Sequence, residues 1–264
     1  MTRHMFSASD AYERFMGRWS RAVARLFVQF AGVGDGEDIL DVGCGTGALA
    51  TTVATIAPSS RIVGIDPAAS YIAFAKLQSP SKRLTYEVGD ATQMRFASGS
   101  FDRTLSLFNL NFIQDSSDAV REMIRVTRSN GHVAAAVWDY GQGMEMLRWF
   151  WDEAIALNPA SDAKDERHMP LSRSGELAAL WRARGLIDVR EESLTIDMPF
   201  SSFDDYWLPF LEGQGPAGAY VASLEPDDVA ALHSRLQRRL AGEGPEQPVV
   251  LTARAWAVRG TVPS

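Results

Sequence analysis

The sequence predicts an α/β protein built on a doubly wound, mostly parallel seven-stranded sheet with an antiparallel last strand. Three observations support this prediction. Up to about residue 198, short apolar runs alternate with segments of helical spacing, as a parallel sheet with crossover helices requires. A glycine-rich stretch at 43–47 separates the first apolar run from the first helix. Two late segments alternate apolar and polar residues, which is typical of antiparallel strands with one solvated face.

The early elements follow from apolar periodicity and from the positions of glycine and proline. Strands are predicted at 39–42, 61–65, 84–88, 103–108 and 132–138, and connecting helices at 48–57, 67–78 and 118–128. We expect a single domain covering residues 1–264, in which residues 1–35 form a helical cap before the first strand.

Beyond the fifth strand the pattern changes. Two segments, 139–170 and 200–247, combine bulky aromatic residues with Gly or Pro breaks, so we expect both to form helical lids beside the sheet. The first of them contains a polar stretch, 158–167, that predicts a surface loop. The later elements are predicted as helices at 144–157, 174–184 and 227–240, and as strands at 194–198 and 249–258.

The composition argues against several classes of protein. The formal net charge is -7 and the basic residues are scattered, so the basic stripe of a nucleic-acid binder is missing. Cys44 is the only cysteine and the four histidines are dispersed, which offers neither an intrachain disulfide nor a metal site. The longest apolar run, 133–138, is far too short to span a bilayer. We therefore expect a cytoplasmic protein with no metal, no nucleic-acid partner and no membrane insertion.

The strongest local signal is the heptapeptide DVGCGTG at 41–47, which lies between a predicted strand and a predicted helix. Its glycines are Gly43, Gly45 and Gly47. They allow a tight turn and a close approach of ligand to backbone, and the helix that follows offers free N–H groups. A dinucleotide site would use the same glycines. Asp41 argues against it, because a carboxylate here repels a pyrophosphate but suits a cationic amino group. Cys44 is expected to contribute its backbone.

Two more acidic residues follow the next two strands. Asp66 ends the second strand, nineteen residues after Gly47, where a carboxylate accepts hydrogen bonds from ribose hydroxyls. Asp90 follows the third strand and is placed to accept a hydrogen bond from an adenine amino group. Simpler interpretations exist, since Asp66 before Pro67 suits a helix N-cap and Asp90 suits a turn. Together with Asp41, however, both acids lie at the strand ends that form the ligand crevice of such sheets.

These motifs resemble the class I S-adenosylmethionine-dependent methyltransferases, particularly the small-molecule branch that includes the ubiquinone/menaquinone-biosynthesis type. The matching stretches are ILDVGCGTG at 39–47, VGIDP at 63–67, VGDA at 88–91, FD at 101–102 and EMIRVTR at 122–128. The resemblance covers residues 36–139 well and implies a Rossmann-like fold that binds S-adenosylmethionine and releases S-adenosylhomocysteine.

The resemblance also implies roles for individual residues. In that family the glycine loop holds the methionine part of the donor, the acid at Asp66 holds the ribose, and the acid at Asp90 meets the adenine. Further cofactor contacts are implied for Pro67, Tyr71, Gly89, Ala91 and Leu107. Tyr71 departs from the apolar methionine that is common there. Asn111 and Phe112 stand where relatives often have paired histidines, so histidine-based catalysis is not carried over.

The predicted activity is transfer of a methyl group from S-adenosylmethionine to an O, N or C nucleophile of a small molecule by direct displacement. The donor is already activated, so the protein mainly supplies proximity, alignment and exclusion of water. Two alternatives stay open at this point. One is an NAD(P)-dependent oxidoreductase, and the other is a catalytically silent S-adenosylmethionine-binding module.

The N-terminal segment is expected to close the donor site. Tyr12 and Arg18 belong to an amphipathic helix that the sheet itself does not require. We predict that this helix folds over the methionine end of the donor, and that both residues contact it.

The acceptor is predicted to be apolar, and aromatic or isoprenoid-like. It is expected to lie above Phe108, Asn109 and Trp138, under a lid that includes Trp207 and Phe210. The lid residues are chosen because Tyr206, Trp207 and Phe210 fall within about one helical turn and are not expected to face one core together. In the alternative interpretation, both inserted segments complete the fold or form a homodimer contact.

Overall fold

The structure, a computed structural model, describes residues 7–78, 82–240 and 247–264. Its seven-stranded sheet has the order β3-β2-β1-β4-β5-β7-β6. The strands are β1 (Asp38–Val42), β2 (Arg61–Asp66), β3 (Leu84–Val88), β4 (Phe101–Leu107), β5 (Thr127–Trp138), β6 (Ile187–Phe200) and β7 (Val249–Thr261). The first five strands pair in parallel, and β7 runs antiparallel to both β5 and β6. The predicted fold class is confirmed.

Helices connect the strands and continue into both insertions. They are α1 (Ser7–Tyr12), α2 (Arg18–Ala31), α3 (Ala48–Ile56), α4 (Ala69–Gln78), α5 (Ser116–Val126), α6 (Glu145–Leu157), α7 (Glu176–Ala183), α8 (Phe203–Trp207), α9 (Gly215–Ala222) and α10 (Pro226–Leu240). A π-helix, Glu13–Gly17, joins α1 to α2, and short 3-10 helices cover Leu110–Phe112, Pro159–Lys164, Glu166–His168 and Leu208–Glu212. No described helix is long and apolar enough to cross a membrane.

Successive residues of the central strand β1 enter two separate apolar clusters. Ile39 packs into a cluster that includes residues of α2 and α3, whereas Leu40 and Val42 pack into one that includes residues of α5 and α7. Alternate side chains of a strand point to opposite faces, so a strand covered on both faces is apolar along its length. This arrangement leaves the carboxyl ends of the strands as the open edge for a ligand.

The polar stretch 158–167 does not form the predicted surface loop. It folds into 3-10 turns in which Asp165 and Glu166 are buried. Helix α6 provides the polar partners that permit this burial: Arg148 pairs with Asp165, and the indole of Trp151 donates to Glu166. A polar side chain can be buried where a partner satisfies it, and the local pattern does not show such a partner.

The expectation that Tyr206, Trp207 and Phe210 cannot share one core is also wrong. Their exposed fractions are 1%, 3% and 0%. This short segment is enclosed on several sides, since Phe210 contacts Phe15 of the N-terminal segment and Trp207 contacts His233 of α10. More than one face of a helix is buried when elements surround it. Residues 1–6 of the predicted cap and 241–246 of the second insertion lie outside the described residues.

Candidate functional site

A cavity of about 410 Å³ lies at the carboxyl ends of the parallel strands. Asp41 of β1, Asp66 of β2, Leu107 of β4 and Trp138 of β5 all line it. The N-terminal segment and both inserted segments complete its walls. The cavity therefore occupies the crevice where doubly wound sheets bind their ligands.

The glycine loop between β1 and α3 has a left-handed backbone at Gly43, Gly45 and Gly47, with φ of +73°, +52° and +94°. The three glycines are needed for different reasons. A Cβ atom at Gly43 would overlap the side chain of Asn109, and one at Gly47 would overlap the hydroxyl of Tyr86. Gly45 has no atom within 4 Å in that direction and lines the cavity, which leaves room for a ligand against its backbone. Gly47 does not line the cavity.

Asp41 is buried in the cavity wall with one oxygen unpaired. Its Oδ2 accepts a hydrogen bond from the Ala50 N–H at 3.1 Å, and its Oδ1 has no partner. Burial first, and then the nearby Asp66, raise the pKa of Asp41 to about 7. An unpaired buried acceptor is costly until a donor or cation meets it. The ammonium group of a methionine moiety has the charge and the N–H donors that this oxygen lacks.

Asp66 serves as a loop anchor and also lines the cavity. Its Oδ2 accepts from the Gly45 N–H at 3.0 Å, and its Oδ1 accepts from the Ala68 N–H at 2.8 Å. Burial raises the pKa of this carboxyl. Each carboxylate oxygen can accept a second hydrogen bond, so capping and ribose binding are compatible at this residue. Pro67 follows it in the same wall, and the buried Cys44 lies beside Gly45.

The N-terminal segment contributes Tyr12 to the cavity, as the sequence predicts. The ring of Tyr12 lies 5.7 Å from the ring of Tyr71, which lines the same wall. Burial raises the pKa of Tyr12 to about 12 and also raises that of Tyr71, so both hydroxyls stay neutral near pH 7. The two rings form an apolar edge next to Asp66.

Arg18 does not line the cavity. Its guanidinium pairs with Asp205 at 3.0 Å and lies 4.2 Å from the centre of the Trp19 ring. Arg18 therefore joins the N-terminal segment to the second insertion. A guanidinium inside the cavity would also repel a cationic ligand.

Phe108 has an unusual backbone at the point where β4 ends. Its φ is +59°, a value that is rare for a bulky residue, and its ring stacks on Trp138 with a centroid distance of 4.0 Å. Such strain persists where surrounding structure enforces it, often at functional sites. Phe108, Asn109 and Trp138 all line the cavity together with Leu107, so the structure brings these four predicted residues together.

Gly89, Asp90 and Ala91 lie outside the cavity walls. Asp90 is exposed and accepts hydrogen bonds from the N–H and the hydroxyl of Thr92, both at 2.7 Å, which lower its pKa. Gly89 donates to the Asp66 carbonyl at 3.1 Å, and Ala91 packs into the apolar core. The turn interpretation thus accounts for the observed bonds of Asp90, and its contact with adenine stays a prediction.

Trp207 and Phe210 do not line the cavity either. Phe210 stacks on Phe150 at 4.7 Å and meets Phe15 edge-on at 5.2 Å. Trp207 packs between Phe203 and other rings of the second insertion. That insertion reaches the cavity instead through its Gly/Pro turn, with Gln214, Gly215 and Pro216.

Three cavity residues of the first insertion are absent from the sequence prediction: Tyr140, Leu147 and Glu166. Glu166 has an exposed fraction of 2%, accepts a hydrogen bond from the Ala217 N–H at 3.2 Å, and also accepts from the indole of Trp151. Burial raises its pKa to about 7. In the sequence, Glu166 stands in a polar stretch that gives no sign of burial. Its burial depends on partners 15 and 51 residues away along the chain.

The cavity is acidic. Asp41, Asp66 and Glu166 are the charged side chains among its described lining residues, and none of those residues is Lys, Arg or His. Such a wall attracts cations and repels phosphate or carboxylate groups. Within the described ranges no three acidic, histidine or cysteine side chains are grouped as metal ligands.

Comparison with known proteins agrees with this geometry. Residues 40–135 match the family described as "Methyltransferase domain". The ubiquinone/menaquinone biosynthesis C-methyltransferase of Bdellovibrio bacteriovorus is 31% identical over 147 residues, covering 53% of this chain and 62% of that relative. The chain thus spans less than two thirds of that relative's length.

Two further similarities extend over most of the chain. The nocamycin O-methyltransferase of Saccharothrix syringae is 26% identical over 258 residues, covering 91% of this chain and 90% of that protein. The fold is similar to phosphoethanolamine N-methyltransferase 2 of Haemonchus contortus in complex with S-adenosylhomocysteine. For that structure the TM-score is 0.59 at 19% identity, covering 96% of this chain and 56% of the other.

Proposed function

We propose that this chain is an S-adenosylmethionine-dependent methyltransferase that transfers a methyl group to a small-molecule nucleophile, which its similarity to the methyltransferase domain family and to two methyltransferases supports. The observation that carries this proposal is the unpaired Oδ1 of Asp41 in the cavity wall. A buried acceptor without a partner requires a ligand donor, and the donor's ammonium group supplies one. When bound, S-adenosylmethionine supplies an electrophilic methyl group.

The residues of this chain would hold the donor along one side of the cavity. Asp41 would bind the ammonium group, the open backbone at Gly45 would accommodate the methionine part, and Asp66 would accept from the ribose hydroxyls. Tyr12 and Tyr71 would cover the sugar side of the site. The apolar lining excludes water, which strengthens each of these electrostatic contacts.

A nicotinamide dinucleotide is a poorer match for this site. Its pyrophosphate would lie at the glycine loop, against Asp41 and Asp66, and the described cavity lining offers no Lys or Arg to balance it. A silent binding module would bind the donor in the same way but transfer no methyl group. Because a fold does not imply a function, only an assay of methyl transfer separates it from an enzyme.

The acceptor, location and assembly belong to the same proposal. Apolar walls that include Phe108, Trp138 and Leu147 support an apolar or aromatic acceptor. The names of the two methyltransferase relatives concern small molecules and support the same class of acceptor.

A cytoplasmic location is supported by the single cysteine, Cys44. Assembly as a homodimer is the last part of this proposal, and sedimentation would test it.

Calorimetric titration of the protein with S-adenosylmethionine, S-adenosylhomocysteine and NADH tests the donor. We expect both sulfur ligands to bind and NADH not to bind. Asp66→Ala should weaken both by about tenfold or more, because two charge-assisted hydrogen bonds to ribose are lost. Affinity within about twofold of wild type would leave Asp66 as a loop anchor only.

Transfer itself is tested by incorporation of labelled methyl groups into a panel of aromatic hydroxyl, amine and carbon nucleophiles. Incorporation into any member supports the enzyme. Donor binding without incorporation into any panel member would instead favour the silent module.

A further inference from the structure

Glu166 lines the cavity from a part of the chain that supplies none of the proposed donor residues. The donor residues belong to the sheet edge and the N-terminal segment, whereas Glu166 belongs to the first insertion, beside the Gly/Pro turn of the second. Tyr140 lines the same cavity, and burial and the charge of Glu166 raise the pKa of its hydroxyl. Asp66 raises the pKa of Asp41, and neither aspartate is among the groups that shift the pKa of Glu166.

The carboxylate of Glu166 is held rigidly and retains accepting capacity. Its Oε1 accepts from the Ala217 N–H and its Oε2 from the indole of Trp151, so each oxygen keeps a second lone pair. Its neighbour Asp165 forms ion pairs with Arg148 and Arg167. In the part of the chain that the structure describes, no cationic side chain forms a salt bridge with Glu166.

The groups that hold Glu166 do not neutralise its charge. The two N–H donors bind one oxygen each and are uncharged, and a buried carboxylate is costly to desolvate. A carboxylate is required where a group must be held by a charge-assisted hydrogen bond or must lose a proton. The cavity that Glu166 lines is also lined by Phe108, Trp138 and Leu147, which suits a flat apolar ring.

Building on the proposed methyl transfer, we propose that Glu166 binds the hydroxyl group of an uncharged aromatic acceptor and acts as its general base. The acidic cavity excludes phosphate- and carboxylate-bearing acceptors, because Glu166, Asp41 and Asp66 would repel them. The ring would lie against the stacked pair Phe108 and Trp138, with its hydroxyl pointing to Glu166.

The chemical step balances in atoms and charge. Glu166 takes the proton of the acceptor O–H bond while that oxygen forms a bond to the donor methyl carbon, and the electron pair of the broken C–S bond stays on sulfur. A carboxylate, a sulfonium and an alcohol become a carboxylic acid, a thioether and a methyl ether. Glu166 contacts the reacting hydroxyl and is therefore assigned a catalytic role.

The groups that face Glu166 predict how this binding depends on pH. Burial first, and then the neighbouring Asp165, raise the pKa of Glu166 to about 7. Tyr140 also faces it and stays neutral, since burial raises the pKa of its hydroxyl well above the ordinary value. Glu166 is thus ionised above neutral pH and protonated below it. Asp41 titrates in the same range, so a bound donor product is needed to hold it ionised.

The test compares phenol and 2-naphthol with toluene and 2-methylnaphthalene, in which a methyl group replaces the hydroxyl. Their dissociation constants are measured on protein saturated with S-adenosylhomocysteine, at about pH 8 and about pH 6. At the higher pH we expect the hydroxyl compound of each pair to bind about tenfold more tightly. This preference should shrink at least about threefold at the lower pH, where Glu166 is protonated.

Glu166→Gln should reduce the preference about fivefold or more and remove its dependence on pH. The matched control is Glu192→Gln, an exposed glutamate on β6, which should behave as wild type. Equal binding of both compounds by the wild type, or an unchanged preference in E166Q, would overturn the role of Glu166. The wild-type pH comparison decides the question even if the E166Q chain fails to fold. If the wild type does not bind S-adenosylhomocysteine, the proposed function itself is wrong.

Discussion

At the scale of the residue, Asp41 shows how a ligand site costs stability before the ligand arrives. Its carboxyl is buried with one oxygen unpaired, and burial raises its pKa to about 7. The folded state therefore binds a proton at this group more tightly than the unfolded chain, in which the pKa of an aspartate is about 3.9. Protonation of Asp41 therefore favours the folded state. This contribution to the free energy of unfolding is complete below about pH 4 and is lost as the pH rises through about 7.

We predict that Asp41→Asn makes the ligand-free protein more stable above neutral pH. The amide keeps the bond to the Ala50 N–H and carries no charge, so about 2–4 kcal/mol of desolvation cost is removed at about pH 8. The pKa values of Asp66 and Glu166 are also raised. Both residues are present in the wild type and in the variant, so their contributions cancel in the difference in stability between the two proteins. Urea unfolding at a series of pH values measures the effect.

The same substitution should weaken S-adenosylmethionine binding by about tenfold or more, because an ion pair with the donor's ammonium group is lost. A variant that is less stable than wild type at about pH 8, or one with unchanged donor affinity, would contradict the assignment of Asp41.

At the scale of the element, the N-terminal segment is attached to the glycine loop by a specific polar contact. The hydroxyl of Thr46 donates to Glu13, the first residue of the π-helix, and Arg21 donates to the same carboxylate. Single π-turns inside α-helices are frequent at functional sites. Here the π-helix lies between Tyr12 and Arg18 and contributes Phe15 and Met16 to the cavity wall, whereas Arg18 pairs with the second insertion.

We predict that Thr46→Val releases S-adenosylhomocysteine faster than wild type, by about threefold to tenfold, because a hydrogen bond to a charged group holds the segment closed. Stopped-flow fluorescence measures the dissociation rate. Thr52→Val on helix α3, which follows the glycine loop, is the control, since its hydroxyl bonds to the Ala48 carbonyl at 2.8 Å. An unchanged rate in T46V, or an equal increase in T52V, would show that this contact does not limit release.

At the scale of the whole molecule, the two insertions and the N-terminal segment share one aromatic core over the cavity. Phe210 of the second insertion contacts Phe15 of the N-terminal segment and Phe150 of the first. Arg18 and Asp205 add an ion pair between two of these parts. This aromatic core, the cavity roof, is thus held by packing between segments that are distant in the chain. Its stability is therefore coupled to that of the fold.

We predict that Phe210→Ala lowers the free energy of unfolding by about 3–5 kcal/mol, because a fully buried ring leaves a cavity in a packed core. Leu211→Ala, at a neighbouring residue that is 47% exposed, should change it by less than about 0.5 kcal/mol. Urea unfolding of both variants provides the measurement. Comparable values for the two would mean that the roof is not part of the cooperative core.

The sequence by itself determined the sheet and predicted part of the cavity wall. Each of these rests on short-range physics. Glycines at left-handed positions, apolar runs of strand length, and acids at the strand ends stand next to one another in the chain. Asp41, Asp66 and Tyr71 line the cavity because consecutive parallel strands bring their carboxyl ends to one edge.

Only the tertiary structure decided the acceptor side. Glu166 is buried because Trp151 and Ala217 supply its partners, and Phe210 is buried because rings from two other segments cover it. Arg18 leaves the cavity because Asp205, 187 residues later, pairs with it. Local periodicity predicts which face of an element is apolar, but it does not predict which distant segment covers that face or satisfies a polar group on it.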